Sequence, residues 1–242
     1  MSRLRSIVPS VVCACILVVS LSSRASANAV SLTGNLSSPE SVVALTLTVG
    51  GAVDQTIDLQ TWGFGGGVNA AGNTIVPGGF DPLLALFSGT GGSASFINGT
   101  SDVSGNFGSF MGCPPAGTVP FSNGDSVCGD ITMSFSLAPG TYTLILADAD
   151  YIPNAFSDNG TLGEGFTDFT GGVFQTCDFS SMGVMSCITP SSNWALDITD
   201  LTGANLGVGT GTLPTPTPEP GSLLLLGTGL LPAFWRLRPR KS

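Results

Sequence analysis

The chain has 242 residues, with sixteen acidic residues against seven Lys and Arg, no His and a formal net charge of −9. Every base lies within residues 1–24 or 236–241, and every acid between Glu40 and Glu219. That partition excludes phosphate neutralisation of nucleic acids, Lys/Arg salt bridges and all His-dependent catalytic or metal sites in the intervening domain.

The N-terminus comes first in chain order. Arg3 and Arg5 precede an apolar run over 7–21, followed by small residues at Ala25-Ser26-Ala27 and Ala27-Asn28-Ala29. This is the pattern of a secretory signal peptide cleaved after Ala27 or after Ala29, and we take residues 1–27 as that peptide. Cysteine usage agrees with export. Cys13 and Cys15 leave with the peptide, and Cys113, Cys128, Cys177 and Cys187 remain, an even number for an oxidising compartment. Of the three connectivities, the sequence-local one pairs Cys113 with Cys128 and Cys177 with Cys187. Each bridge would close a Gly/Ser-rich loop and contribute ~2–3 kcal/mol by restricting the unfolded chain. No CxxC spacing points to metal instead.

Residues 42–49 (Val-Val-Ala-Leu-Thr-Leu-Thr-Val) and 57–62 alternate apolar with polar or are β-branched, and predict two strands. A Gly-rich connection spans 63–79. Residues 80–87 predict a strand entered through Pro82, with Asp81 capping the turn before it. Residues 93–97 pair back after a turn at 89–92. The stretch 99–130 reads as loop. Residues 131–137 alternate cleanly, Ala138-Pro139-Gly140 turns the chain, and 141–146 returns, which predicts a hairpin. Residues 148–165 read as an acidic loop and 172–187 as irregular. Residues 193–198 form the closing strand. No segment from 31 to 214 has helical periodicity, and the short strands with abundant Gly predict an all-β, jelly-roll-like single β-sandwich over 28–213.

The C-terminal region reads as three blocks. Residues 214–220 alternate proline and close on Pro218-Glu219-Pro220. Residues 221–235 are uncharged and Leu-rich, and predict a short transmembrane helix. Residues 236–242 hold Arg236, Arg238, Arg240 and Lys241, a basic cytoplasmic tail. The span is ~22 Å long as a helix, short of a ~30 Å hydrocarbon core, and Trp235 with the Arg stems covers the mismatch.

This order, Pro-Glu-Pro then Gly221-Ser222 then the Leu-rich span then arginines, resembles the PEP-CTERM sorting signal of Gram-negative bacteria. The resemblance implies processing by exosortase near Pro218, Glu219 and Pro220, in species that make exopolysaccharide and biofilm. A glycolipid-anchor signal differs by normally lacking the basic cap. A second resemblance rests on Thr61-Trp62-Gly63-Phe64, Gly78-Gly79-Phe80-Asp81-Pro82, Leu137-Ala138-Pro139-Gly140-Thr141-Tyr142 and Trp194-Ala195-Leu196-Asp197-Ile198. These are similar to the Phe-Asp-Pro group of PEP-CTERM proteins and, in the Leu-x-Pro-Gly-x-Tyr stretch, to pre-peptidase C-terminal domains, which are jelly-roll sandwiches. Neither resemblance implies a catalytic activity.

Candidate chemistry is therefore limited to carboxylates. A two-acid glycosidase needs a pair of acids across the scissile bond, but the acids show no spacing signal, and Trp62 and Trp194 alone remain before the tail as sugar platforms. Calcium is the stronger alternative: Asp148, Asp150 and Asp158 lie in one predicted loop, with Glu164 and Asp168 nearby. The same residues are ordinary turn formers, and the EF-hand pattern is absent. Asn35, Asn98 and Asn159 match the glycosylation acceptor pattern, with Asn-Gly at the latter two reading chiefly as a turn. The sequence as a whole predicts an exported, exosortase-sorted, non-catalytic surface or matrix protein, structural or adhesive. A carbohydrate- or calcium-binding module is the alternative.

Overall fold

The computed structural model describes residues 28–101, 116–179, 183–202, 206–211 and 213. The signal peptide, Cys113, the Pro-Glu-Pro motif, the apolar span and the basic tail lie outside them. The described chain is all-β. Its nine longer strands are β1 (Asn28–Asn35), β2 (Val42–Val49), β3 (Gln55–Thr61), β4 (Pro82–Ser88), β5 (Ser95–Ser101), β6 (Thr132–Leu137), β7 (Gly140–Asp148), β8 (Asn193–Asp200) and β9 (Leu206–Thr210). Among the described residues the helical elements are three single turns of 3-10 helix, at Gly91–Ser93, Asn154–Phe156 and Leu162–Glu164.

Two antiparallel sheets result, one in the order β1-β8-β3-β6 and the other β9-β2-β7-β4-β5. Alternation decides which side chains meet between them. Ile57 and Leu59 of β3, Phe135 and Leu137 of β6, and Leu196 and Ile198 of β8 come from the first sheet. Leu45 and Leu47 of β2, Leu84 and Leu86 of β4, and Leu144 and Leu146 of β7 come from the second, and all join one core cluster.

The apolar run of β4 has a different cause from simple alternation. Leu83, Ala85 and Phe87 point to the outer face of the second sheet, where with Ile145 and Ala147 of β7 they meet Ala94, Ala155 and Leu162. The excursion 149–168 therefore covers that face. Strands buried on both sides read as continuous hydrophobic runs. The segment expected to be a solvated acidic loop is a cover, built from the pair Tyr151–Pro153 with Phe166–Asp168 and two of the 3-10 turns.

The cover over the first sheet is the Gly-rich connection. Trp62 and Ala116 cluster with Ala195 of β8, and Ile75 packs against them. Glycine is needed where this loop crosses residue 117: a Cβ on Gly65 would lie 1.9 Å from the Gly117 carbonyl oxygen. At Gly129 a Cβ would meet the Phe64 ring at 2.6 Å.

Several expectations are corrected. The stretch 131–146 is not a hairpin: β6 pairs with β3, whereas β7 pairs with β2 and β4, so Ala138-Pro139 carries the chain from one sheet to the other. The Tyr142 hydroxyl donates to the Ala138 carbonyl at 2.7 Å and ties this corner. β1 was not foreseen, and β8 is not the closing strand, because β9 follows it on the edge beside β2. The irregular segment 172–187 holds an antiparallel pair, Thr176–Phe179 with Met185–Ile188, and the loop 99–130 holds another, Val119–Pro120 with Ser126–Val127. Asn98-Gly99 sits inside β5 rather than in a turn. Pro82 is the first residue of β4, as its missing N–H requires.

The two ends of the molecule differ. At one end short connections over 50–54 and 138–139 join the two sheets, and one over 89–94 joins β4 to β5 within the second. At the other, β3 and β7 run into the long connections 62–81 and 149–192, and the chain leaves after β9, where the Gly211 N–H donates to the Ala44 carbonyl at 2.8 Å. We call the latter the loop end.

Candidate functional site

The acids of the loop end were the strongest sequence candidates. Asp148 closes β7 opposite Pro82, and the following Ala149 N–H donates to the Asp81 carbonyl at 2.9 Å. The Asp150 N–H donates to Asp148 Oδ1 at 3.0 Å. Thr170 donates its N–H to Asp168 Oδ1 at 2.9 Å, and its hydroxyl lies 2.8 Å from the same oxygen and 3.3 Å from Glu40 Oε1. Tyr151 stacks on Phe166 at 4.9 Å between ring centres.

No cation neighbours these groups, because the described chain contains none. Burial pushes the Asp148 carboxyl up to about 7. The Asp150 N–H opposes the rise, and the charges of Asp150 and Glu40 add to it. Burial raises Asp150 as well. The Tyr151 hydroxyl is raised by burial, then by Asp168 and Glu40. A carboxyl that holds its proton near neutrality has the range of a general acid. Asp148 is only 4% exposed, however, so it is not presented to a substrate in this conformation.

Asp158 does not join Asp148 and Asp150. It is exposed beside Asn159-Gly160, and the Gly160 carbonyl accepts from the Phe96 N–H at 3.0 Å. Phe96 pairs with Phe87, five residues along β4 from Pro82, or roughly 17 Å of strand. The predicted calcium trio is split because its loop runs along a sheet instead of closing on itself. Glu164 is taken up in a capping box with Thr161, whose N–H donates to Glu164 Oε1 at 2.7 Å. Among the described residues, no three His, Cys, Asp or Glu side chains are placed to hold a metal ion.

Two acids that the sequence did not single out hold the Gly-rich loop. Asp197 Oδ2 accepts from Trp62 Nε1 and from the Ala70 N–H, both at 2.7 Å, and Oδ1 accepts from the Ser31 hydroxyl at 2.5 Å. Asp130 accepts from the Gly65 N–H at 2.6 Å and the Phe64 N–H at 3.3 Å, and burial raises its carboxyl. The available signal was indirect: between Arg24 and Arg236 there is no Lys, Arg or His, so a buried acid must find its partners among backbone and side-chain N–H and O–H groups.

Of the two tryptophans weighed as sugar platforms, one is buried and the other half-buried. Trp62 is 7% exposed and bonded to Asp197, and Trp194 packs partly buried against the core. Cys177 and Cys187 form the expected disulfide across the 176–188 pair. Cys128 is disulfide-bonded, and Cys113, its expected partner, lies outside the described residues. Among the described residues no helix is long and apolar enough to cross a membrane. No protein-family model and no curated protein matches the chain.

Proposed function

We propose that this chain is an exported, exosortase-sorted protein of the cell surface or extracellular matrix, non-catalytic and structural or adhesive in exopolysaccharide. The observation that carries the reading is the Cys177–Cys187 disulfide in a domain free of Lys, Arg and His. A disulfide belongs to an oxidising compartment. The exclusive acidity leaves the domain soluble by self-repulsion and without affinity for anionic polymers. Its glycan partners are therefore neutral or cationic.

The strand order supports a jelly-roll sandwich as the vehicle. With strands numbered in sequence, 1-8-3-6 faces 2-7-4-5, and the ninth strand extends the second sheet. This is the two-sheet arrangement found in lectin and capsid domains. A non-catalytic role is supported by the uses of the buried acids: Asp130 and Asp197 hold loops, and Asp148 is closed off. The pairing of Asn28 with Asp200 and of Ala29 with Thr199 favours signal-peptide cleavage after Ala27, since cleavage after Ala29 removes both residues from β1.

The test is replacement of Pro218, Glu219 and Pro220 by Ala, followed by intact mass and fractionation of the exported chain. The expected result is an unprocessed, membrane-held form. Wild-type mass and location in the variant refute the sorting reading. Binding of the released domain to a glycan array separates an adhesive role from a purely structural one.

A further inference from the structure

The connection 149–192 at the loop end carries exposed apolar side chains. Phe169, Val173, Phe179 and Met185 are 65%, 53%, 68% and 58% exposed, all within seventeen consecutive positions. Their placement is fixed by bonds to the body of the domain. The Phe169 N–H donates to the Asp150 carbonyl at 2.9 Å, and Phe174 stacks on buried Phe80 at 5.5 Å. Phe179 and Met185 face each other across the stapled pair, two residues from the Cys177–Cys187 disulfide and on the same side of it. The pair is tied down at the register position next to Phe179 and Met185, where Asn123 donates to Asp178 at 2.7 Å and the Ser122 and Ser186 hydroxyls lie 2.7 Å apart. The backbone that presents Phe179 and Met185 is thus already ordered, which lowers the ordering cost of contact.

The C-terminal exit lies at the same end. Gly211 is bonded to Ala44, and Leu213 is 40% exposed. The seven residues 214–220 reach at most about 25 Å before the apolar span 221–235 begins. While that span is in a bilayer, the loop end is held within this distance of the lipid headgroups.

We propose that the loop end docks on the lipid surface while the chain is anchored, with Phe179 and Met185 as the inserted side chains. The proposal rests on the anchoring reading of 221–235. Charge selects the lipid. The loop end offers carboxylates such as Glu40 and Asp168 and no cation, so it suits zwitterionic headgroups, whose ammonium groups lie outermost, and is repelled by anionic ones. A second copy of the chain is the competing occupant. It shares the bilayer, but its own linker does not hold it against this face.

The experiment uses the full chain, one copy per phosphatidylcholine nanodisc, as wild type and as Phe179→Ser/Met185→Ser, read by amide hydrogen exchange. Both substituted residues are exposed, and near-UV circular dichroism checks that the fold is unchanged. The expected result is exchange over 167–174 at least tenfold slower in the wild type than in the variant, with the turn-end amides over 89–94 equal in both. Equal rates over 167–174 overturn the proposal. So does protection that follows chain concentration instead of lipid, which assigns the face to a second copy. Exchange over 221–235 reports anchoring separately: an unprotected span refutes the anchoring reading, and protection over 167–174 still decides docking.

Discussion

Trp62 Nε1 lies 2.7 Å from Asp197 Oδ2, joining residues 135 positions apart. The contact links two of the sequence motifs, one at the end of β3 and one within β8, and fixes the Gly-rich connection over the outer face of the first sheet. Asp197 also accepts from Ser31 and Ala70, so one carboxylate satisfies three donors. Asp197→Ala leaves the buried Trp62 N–H without its acceptor, at about 1–3 kcal/mol, and removes two part-buried bonds from Ser31 and Ala70, each worth about 1 kcal/mol. The expected loss is about 3–5 kcal/mol, read from the urea midpoint. Asp197→Asn keeps one acceptor and loses less. Equal stability of the Ala variant and wild type removes the pinning role.

Asp148 sets the pH dependence. Its folded value is about 7 against an ordinary 3.8, a raised carboxyl, so its contribution to stability is complete below about pH 4 and lost as pH rises through 7. Burial raises Asp130 and Asp150 in the same direction. The melting temperature is therefore expected to fall from about pH 4 to about pH 7 and to level off above it. Asp148→Asn keeps an oxygen for the Asp150 N–H without the charge. It should stabilise the domain at pH 8 by about 2 kcal/mol and flatten the slope. Identical slopes in the two proteins would show that another group controls the titration.

Much of the β content was legible because alternation survives where one face is buried and the other is wet. The β2 prediction agrees to the residue, and β6 to one residue, on that signal. Partner choice was not legible. Ala138-Pro139-Gly140 reads equally well as a hairpin turn or as an inter-sheet corner, and the difference lies in long-range pairing with β3 and β2. The covers at 62–79 and 149–168 were missed because their apolar contacts come from isolated residues such as Ala155 and Leu162, which carry no period. The three acids of the candidate calcium site are not brought together, for a related reason. Closeness in sequence between Asp150 and Asp158 says nothing about a chain that leaves along a sheet.

The inter-sheet corner predicts a small, clean effect. Tyr142→Phe removes the hydroxyl bonded to the Ala138 carbonyl and keeps the ring in the core. A neutral hydrogen bond of this kind contributes about 1 kcal/mol. The loss should appear as a lower urea midpoint with an unchanged slope, since the surface exposed on unfolding is the same. A loss below measurement would assign the corner to Pro139 and the strand pairings alone.

Removing the staple tests how the exposed hairpin is held. Cys177 and Cys187 are separated by ten positions, and closing so short a loop is worth about 3 kcal/mol on the chain-entropy account. The hairpin, however, stands on the body through Ser122–Ser186 and Asn123–Asp178, and its Phe179 and Met185 lie outside the core. Cys177→Ser/Cys187→Ser should therefore act mainly through local opening. Amide exchange over 176–179 and 185–188 is expected to rise on the order of a hundredfold. Amides of Leu144 and Ile145 in β7 should keep their rates, because their partners in β2 and β4 are untouched. Equal acceleration in β7 would show that the hairpin and the two sheets unfold as one unit, and that the staple supports the whole domain.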